Sequence, residues 1–292
     1  MPLFSAVRHA VRNLTAAGLF ASVAAPFSSI CGQSSAAPAS AAQPLPSGER
    51  FIVRSSALRN EERDILVYLP MGYAEQPERR YDVLYVLDGG AIGPLAAGIG
   101  RYLALGGSIP PLLVVGVVSK NSPDRFRNFT PVIDPQQSAR FPTAGGADAF
   151  LRFLGDELVP TIEQRYRVTG RRYLVGHSLG GLFALHTLAS RPTLFRGYLA
   201  FSPSTAWADG AVLRELVTRF ADPPADSIFL FVTAASGEDM PATEDVLRTR
   251  TPAVIRWRFA RYQQDDHFTT VPPALHDGLR ALFANPGSAP GR

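Results

Sequence analysis

One stretch, residues 173–183, constrains the fold of this chain more than any other. It begins with a short apolar run and continues through Gly176-His177-Ser178-Leu179-Gly180. Apolar residues then recur at helical spacing until Arg191-Pro192, a pair that ends a helix. The pattern predicts a strand, a tight turn and a helix, with Ser178 in the turn. Glycines two residues to either side of the serine allow the strained backbone that such a turn requires, because bulkier residues would collide with the strand and the helix.

Residues 176–180 also fit the G-x-S-x-G nucleophile elbow. In an elbow the serine hydroxyl is exposed at the N-terminus of a helix. Backbone N–H groups and the helix dipole stabilise developing negative charge there. The alternative is a Gly-rich turn in which a small serine only packs. The flanking strand and helix favour the elbow, which makes Ser178 the candidate nucleophile.

The remaining chain predicts an α/β fold around this elbow. Strands alternate with helices along the sequence, which indicates a mostly parallel twisted sheet with helices on both faces. No repeat or internal boundary divides residues 48–284, so they form one predicted domain. Asp148 is the predicted N-cap of the helix before the elbow strand, and Pro160 should bend or divide that helix. The predicted strands are 51–55 and 64–70, which form an antiparallel hairpin, and 81–90, 112–118, 197–202, 227–233 and 253–261.

The two ends of the chain have a different composition from the predicted domain. Residues 1–47 carry Arg8 and Arg12, then an apolar run, then a Ser/Ala/Pro-rich segment with several A-x-A-like sites. This order predicts a cleaved export signal and a linker, hence a periplasmic or secreted protein without stable membrane insertion. An uncleaved anchor is the alternative, but the apolar run is short. Residues 285–292 are predicted to be a loose tail.

Charge and cysteine content narrow the possible functions. The net charge is +4. Without the two leader arginines, 27 basic and 25 acidic residues remain, which gives a net charge of +2. No dense Lys/Arg run is present, so the sequence does not predict nucleic-acid binding. The single cysteine, Cys31, lies in the leader, where lipid attachment is a second reading that the preceding residues match poorly. The domain therefore has no disulfide or thiolate chemistry, and no metal or organic cofactor is predicted. The oligomeric state is left open.

A nucleophilic serine needs a histidine base and a group that orients the base. In elbow enzymes the order along the chain is serine, acid, histidine. His267 follows the last predicted strand and fits this order, whereas His177 is expected to point away from the serine. Glu238 is the predicted acid because it follows the penultimate strand. Asp239, Asp209 and a serine–histidine dyad without an acid remain alternatives.

Three further groups are candidates for contact with a substrate. The backbone N–H groups of Leu179 and Gly90 are the predicted oxyanion hole, because Gly90 lies in a Gly-rich turn after a buried strand. Residues 121–142 are predicted to form a long loop, whose Arg127 or Arg125 would bind an anionic or oxygen-rich substrate. Trp207 is predicted at the edge of the sheet, either lining a pocket or packed in the core.

These motifs together resemble the putative-esterase family of α/β-hydrolases, which includes esterase D, feruloyl esterases and siderophore trilactone esterases. The resemblance implies an α/β-hydrolase fold, with Ser178 as nucleophile, His267 as base and an arginine at 125 or 127 that helps to hold the substrate. It spans most of the domain and is carried by residues 81–90, 111–118, 127–131, 145–166, 176–181, 201–204 and 266–268.

The resemblance and the motifs predict a serine carboxylic-ester hydrolase that works through an acyl-enzyme. The nearest branch suggests a siderophore trilactone as a small-molecule substrate. An acyltransferase on the same fold is one alternative, since the family uses the same residues for both reactions. A secreted binding protein with a disabled hydrolase fold is the other.

Overall fold

The computed structural model describes residues 48–131 and 139–284, which form one eight-stranded sheet. The predicted leader with Cys31 and the C-terminal tail lie outside these ranges, so export and the domain boundaries stay predictions. The strand order is β1-β2-β4-β3-β5-β6-β7-β8. The strands are β1 Glu49–Ser55, β2 Glu61–Tyr68, β3 Tyr81–Leu87, β4 Leu112–Val117, β5 Val168–His177, β6 Gly197–Phe201, β7 Ile228–Ala235 and β8 Ile255–Tyr262.

Strand direction in the sheet follows the prediction. β1 and β2 form the expected antiparallel hairpin, and β2 also runs antiparallel to β4. All pairs from β4 to β8 are parallel. The carboxyl ends of these parallel strands therefore meet at one edge of the sheet, where ligands bind in open α/β folds. This mostly parallel architecture confirms the predicted α/β-hydrolase fold.

Helices connect the strands and cover both faces of the sheet. None of them, within the described ranges, has the length and apolar character needed to cross a bilayer. The α-helices are α1 Ile92–Leu105, α2 Ser122–Phe129, α3 Ala147–Arg152, α4 Val159–Arg165, α5 Leu179–Ser190, α6 Ala211–Ala221, α7 Pro241–Arg250 and α8 Val271–Phe283.

The central strands are buried on both faces, as their unbroken apolar runs predict. Successive side chains of β3 point to opposite sides of the sheet: Tyr85 joins one core cluster, whereas Leu84 and Val86 join the other. The first cluster lies under α5, in which eleven of twelve residues are buried. The second lies under α1 and α8. The elbow is therefore held by a helix that is buried almost all round.

The helix that precedes β5 is divided, as Pro160 predicts. A π-helical segment, Phe153–Leu158, separates α3 from α4, and Pro160 lies in the first turn of α4. Because proline has no N–H, the regular hydrogen-bond ladder cannot pass through it. The predicted N-cap is wrong: Gly146 occupies that position without a side-chain cap, and Asp148 lies inside the helix. Its carboxylate bonds His186 instead, 3.0 Å from Nε2.

The predicted loop over residues 121–142 is partly wrong, because α2 occupies its first third. Asn121 is the N-cap of α2, and its side chain accepts a hydrogen bond from the Asp124 N–H at 2.9 Å. Pro123 and Asp124 in the first turn also suit a helix start. As a result, Arg125 and Arg127 lie on a helix and their positions are fixed by its geometry.

A buried ion pair attaches α2 to the sheet. Arg63 of β2 is fully buried and donates two hydrogen bonds to Asp124, at 2.6 and 2.8 Å. Burial by itself would raise the pKa of Asp124, but bonds from Arg63 and the Lys120 N–H, together with the charges of Arg63 and Arg127, lower it. Asp124 therefore stays ionised and neutralises the arginine beneath it.

We expect Asp124→Asn to destabilise the protein by about 3 kcal/mol, because it removes the charge that accepts two hydrogen bonds from the buried Arg63 and leaves Glu61, 3.4 Å away, as the carboxylate beside that arginine. Denaturant unfolding of the wild type and the variant measures this difference. Asp64→Asn is the matched control, since Asp64 pairs with the exposed Arg50 and should cost no more than about 1 kcal/mol. Equal losses in the two variants would contradict the structural role of the buried pair.

Candidate active site

The elbow has the geometry that its sequence predicts. β5 ends at His177, α5 begins at Leu179, and Ser178 lies between them with φ 59° and ψ −118°. This positive φ is strained for a serine and is maintained by the packing of the strand and helix on either side. The Ser178 carbonyl accepts hydrogen bonds from the N–H groups of Leu182 and Ser204, both near 3 Å. The serine therefore faces the carboxyl edge of the sheet at the start of a helix.

Close backbone approach explains two glycines of this motif. A Cβ at Gly176 would stand 2.1 Å from the Gly180 carbonyl oxygen, and one at Gly181 would stand 3.0 Å from the Pro203 Cα. At Gly180 itself a Cβ would meet Leu87 at 3.5 Å, an ordinary contact. Backbone contact thus excludes a Cβ at Gly176, a Cβ at Gly181 would be tight, and one at Gly180 would fit.

His267 lies in the turn between β8 and α8 and is paired with Glu238. Its Nδ1 is 2.6 Å from Glu238 Oε1, and the second carboxylate oxygen accepts the Ala235 N–H at 2.7 Å. Among the described residues, Glu238 is thus the predicted acid whose carboxylate contacts His267. Asp209 lies in the 3₁₀ segment Trp207–Gly210 at φ 52°, and Asp239 is the exposed neighbour of Glu238.

The surroundings of Glu238 keep it ionised. Partial burial alone would raise its pKa, but hydrogen bonds from the His267 ring and the Ala235 N–H, together with the charge of His267, lower it. An ionised carboxylate only accepts hydrogen bonds, so Nδ1 of His267 carries the proton and donates it to Glu238 in a hydrogen bond. This leaves Nε2 as the ring nitrogen of His267 with a free lone pair when the ring is neutral.

The side chain of His177 connects the elbow to the His267 turn. Its Nε2 lies 2.6 Å from the His267 carbonyl oxygen, and the two rings are 4.5 Å apart between centroids. In the described part of the chain, the Ser178 hydroxyl has its hydrogen-bond partner in Ser204 Oγ at 3.4 Å. The His177 side chain thus joins the segment that carries Ser178 to the segment that carries His267.

The turn after β3 lies beside the elbow. A Cβ on Gly180 would stand 3.7 Å from a carboxylate oxygen of Asp88, which begins this turn at φ 52°. The Gly89 N–H is bound by the Val117 carbonyl at 2.8 Å. Within residues 48–131 and 139–284, the N–H groups of Gly90 and Leu179 donate to no acceptor. Neither predicted oxyanion donor is therefore bound to another acceptor of the described residues.

A cleft of about 470 Å³ opens at Ser178. Three aromatic rings form one wall: Phe126 stacks on Phe141 at 4.3 Å, and Phe141 lies 5.4 Å from Trp207. Trp207 is thus both almost buried and part of the pocket wall, so its two predicted roles are compatible. Arg125 and Arg140 also line the cleft, which combines aromatic surface with positive charge.

The two predicted substrate-binding arginines face different directions. Arg125 lines the cleft and makes two hydrogen bonds to Asp88, at 2.8 and 2.9 Å. Arg127 does not line it, because Glu61 and Asp124 bind its guanidinium on the other side of α2, at 2.6 and 2.7 Å. Of the two candidate arginines, Arg125 is therefore the one that lines the Ser178 cleft.

The remaining histidines of the described residues have their own carboxylate partners. His186 bridges Asp148 and Glu215 on the buried side of α5, and His276 lies 2.8 Å from Asp277. No group of three or more His, Cys, Asp or Glu side chains within the two described ranges is arranged to hold a metal ion.

A strained serine between a parallel strand and a buried helix, in this sheet order, defines an α/β-hydrolase fold. Comparison with known proteins then gives the family. The chain belongs to the family described as "Putative esterase", whose family model matches residues 55–277.

Two curated relatives are siderophore esterases by name. The chain is 33% identical to the ferri-bacillibactin esterase BesA of Bacillus subtilis over 177 residues, which cover 56% of this chain and 61% of that protein. It is 32% identical to the siderophore triacetylfusarinine C esterase of Aspergillus fumigatus over 181 residues, 59% of this chain and 61% of that protein. The alignments thus span about three fifths of these relatives.

Solved structures are similar over more of the chain. An IroE-like serine hydrolase from Shewanella oneidensis superposes with a TM-score of 0.71 at 30% identity, over 81% of this chain and 80% of that one. The BES protein from Bacillus cereus also gives 0.71, at 27% identity, over 84% of this chain and 98% of that one. Both likenesses agree with the hydrolase fold.

Proposed function

We propose that this protein is a serine carboxylic-ester hydrolase that acts through an acyl-enzyme. The observation that carries the proposal is the 2.6 Å bond between Glu238 and His267, in the turn that His177 joins to the Ser178 elbow. A bound acid fixes the histidine tautomer that a serine nucleophile requires. The esterase names of the relatives favour hydrolysis over acyl transfer.

The first half of the reaction forms the acyl-enzyme. Ser178 Oγ attacks the ester carbonyl carbon while His267 Nε2 takes the hydroxyl proton. The carbonyl electron pair moves to oxygen, and the N–H groups of Leu179 and Gly90 stabilise the resulting oxyanion. The tetrahedral intermediate then expels the alcohol, which receives the proton from His267. Glu238 stays ionised throughout and stabilises the imidazolium.

The second half releases the acid. Water replaces the alcohol in the cleft and loses a proton to His267 Nε2 as its oxygen attacks the acyl carbon. The same two N–H groups hold the second oxyanion. Collapse of this intermediate breaks the bond to Ser178 Oγ, which regains its proton from His267. The products are a carboxylic acid and the free enzyme.

The cleft suits an ester that carries an aromatic or anionic group. Phe126, Phe141 and Trp207 offer ring faces, and Arg140 stands exposed over Phe141, 5.3 Å from the ring centroid. Arg125 is restrained by Asp88 and presents its charge in a fixed direction. The relatives are named as siderophore esterases. A siderophore ester that carries aryl groups would use both features of the cleft, and we propose a siderophore trilactone as the substrate.

We expect Arg140→Gln to raise KM for an anionic aryl ester about fivefold, because a partly exposed charge contact is worth about 1 kcal/mol. KM for the neutral ester of the same aryl group should stay unchanged. Steady-state kinetics with both esters measure the difference, and Arg101→Gln on α1 is the matched control. An equal rise for both esters would contradict the electrostatic role of Arg140.

A substrate panel tests the proposed function. Purified protein is assayed with p-nitrophenyl esters, a feruloyl ester and a trilactone siderophore, with and without an added alcohol. Release of free acid with a preference for the trilactone supports the proposal. Acyl transfer to the alcohol that outruns hydrolysis would replace it with an acyltransferase, and inactivity of folded protein on every ester would favour a binding protein.

A further inference from the structure

His177 is a buried histidine next to the proposed nucleophile, and the proposed reaction gives it no step. It ends β5, where it pairs with Phe201 of β6, and its side chain is 6% exposed. The strand and the elbow hold its backbone, so the ring can move little. A buried polar ring in such a position needs a hydrogen-bond partner.

That partner is the main chain of His267. A carbonyl oxygen only accepts hydrogen bonds, so the 2.6 Å contact requires that His177 Nε2 carries the proton. One hydrogen bond thus joins the residue before the nucleophile to the peptide unit that carries the base. The tilted packing of the two rings, 46° between planes, adds a second restraint on His267.

The surroundings keep the His177 ring neutral, so the tautomer with its proton on Nε2 makes this bond at neutral pH. Burial lowers its pKa to about 4, and repulsion from His267 acts in the same direction. The charged groups that face it are Asp88, which opposes this shift, and Arg125, which reinforces it. At neutral pH the ring therefore donates through Nε2 and carries no charge beside the catalytic histidine.

Other contacts hold the His267 turn at different points. Asp266 Oδ1 accepts the N–H groups of Phe268 and Thr269, both at 2.8 Å, which shapes the turn locally. Glu238 fixes the far side of the imidazole. These contacts connect the turn to itself and to the loop after β7, and the His177 bond connects it to the elbow.

We propose that His177 is a positioning residue that sets the distance between His267 and Ser178 through its Nε2–H bond to the His267 carbonyl. The inference rests on the proposed serine mechanism. Removal of the donor should let the His267 turn move away from the elbow. A misplacement of the His267 imidazole by about 1 Å costs on the order of 100-fold in rate. Binding of the ester in the cleft should be unaffected.

The test compares His177→Leu, which removes the donor, with His177→Gln, which retains an amide N–H donor at a similar distance. We expect kcat of the leucine variant on a p-nitrophenyl ester to fall between about 10-fold and about 100-fold with KM unchanged. The glutamine variant should recover most of the loss. His276→Leu, on the exposed face of α8, is the matched control. Thermal unfolding of each variant separates misfolding from misplacement.

The rate of fluorophosphonate labelling gives a second readout, since it depends on the serine–histidine geometry and not on the ester. A slower rate in His177→Leu with rescue in His177→Gln supports the proposal. Wild-type labelling in a folded His177→Leu variant, or equal losses in both variants, would overturn it while leaving the serine mechanism intact. Ester turnover that survives Ser178→Ala would instead overturn the proposed function.

Discussion

Replacement of Ser178 by alanine is expected to lower kcat on any ester by about 10⁵- to 10⁶-fold, because it removes the atom that attacks the carbonyl in the proposed mechanism. KM should change little, since the cleft and the two oxyanion donors remain. Stopped-assay kinetics at high enzyme concentration measure the residual rate. The residual activity over uncatalysed hydrolysis would come from the oxyanion hole and from binding.

The neighbouring serine gives the control for this variant. Ser204 Oγ lies 3.4 Å from Ser178 Oγ in the same cleft, so it would be the alternative nucleophile. Ser204→Ala should keep kcat within about tenfold of the wild type, because it removes only a weak hydrogen bond to Ser178. A loss in Ser204→Ala as large as that in Ser178→Ala would contradict the assignment of the nucleophile.

Glu238→Gln is expected to lower kcat by about 10³- to 10⁴-fold. A neutral amide cannot stabilise the imidazolium, and it can hold the His267 ring in the wrong tautomer. The volume is unchanged, so the fold should survive. Steady-state kinetics on the same ester measure the loss.

Asp239→Asn is the matched control, since it removes a carboxylate one residue away on the exposed side of the turn. Its kcat should equal that of the wild type. If the asparagine variant loses as much activity as Glu238→Gln, Glu238 is not the acid. A wild-type rate in both variants would identify a serine–histidine dyad.

The same carboxylate predicts a pH effect on stability. The folded state lowers the pKa of Glu238. Its contribution to the free energy of unfolding is therefore fully present above the ordinary glutamate pKa, near 4.3, and is lost as the pH falls through the lowered pKa of the folded state. The difference in unfolding free energy between the wild type and Glu238→Gln should therefore shrink below about pH 4. Urea titrations at neutral and acidic pH measure it. A difference that grows on acidification would contradict the lowered pKa.

The parts of the site that follow chain order could be predicted from the sequence. The elbow is a local pattern of glycines between an apolar strand and an apolar helix, and local geometry decides it. Glu238 and His267 follow consecutive parallel strands, whose carboxyl ends meet at one edge of the sheet. The order of strands therefore predicts that Glu238 and His267 lie close together, although only the structure identifies Glu238 as the residue that contacts the His267 ring.

The other features depend on how distant segments approach each other. The helix start at Asn121, Pro123 and Asp124 was a readable signal, but the polar, Pro-rich composition suggested a loop. Once α2 is a helix, Arg125 and Arg127 must point in different directions, since residues two apart do not share a face. His177 carries no sequence signal for its contact, because its partner is a backbone carbonyl ninety residues away.

Covalent labelling of the intact protein tests the central claim most directly. A fluorophosphonate probe is incubated with the wild type and with Ser178→Ala, and the modified peptide is mapped by mass spectrometry. We predict one adduct per chain, on Ser178, that is absent from the alanine variant and forms far more slowly in His267→Ala. An adduct on any other residue, or none on folded wild-type protein, would contradict the account.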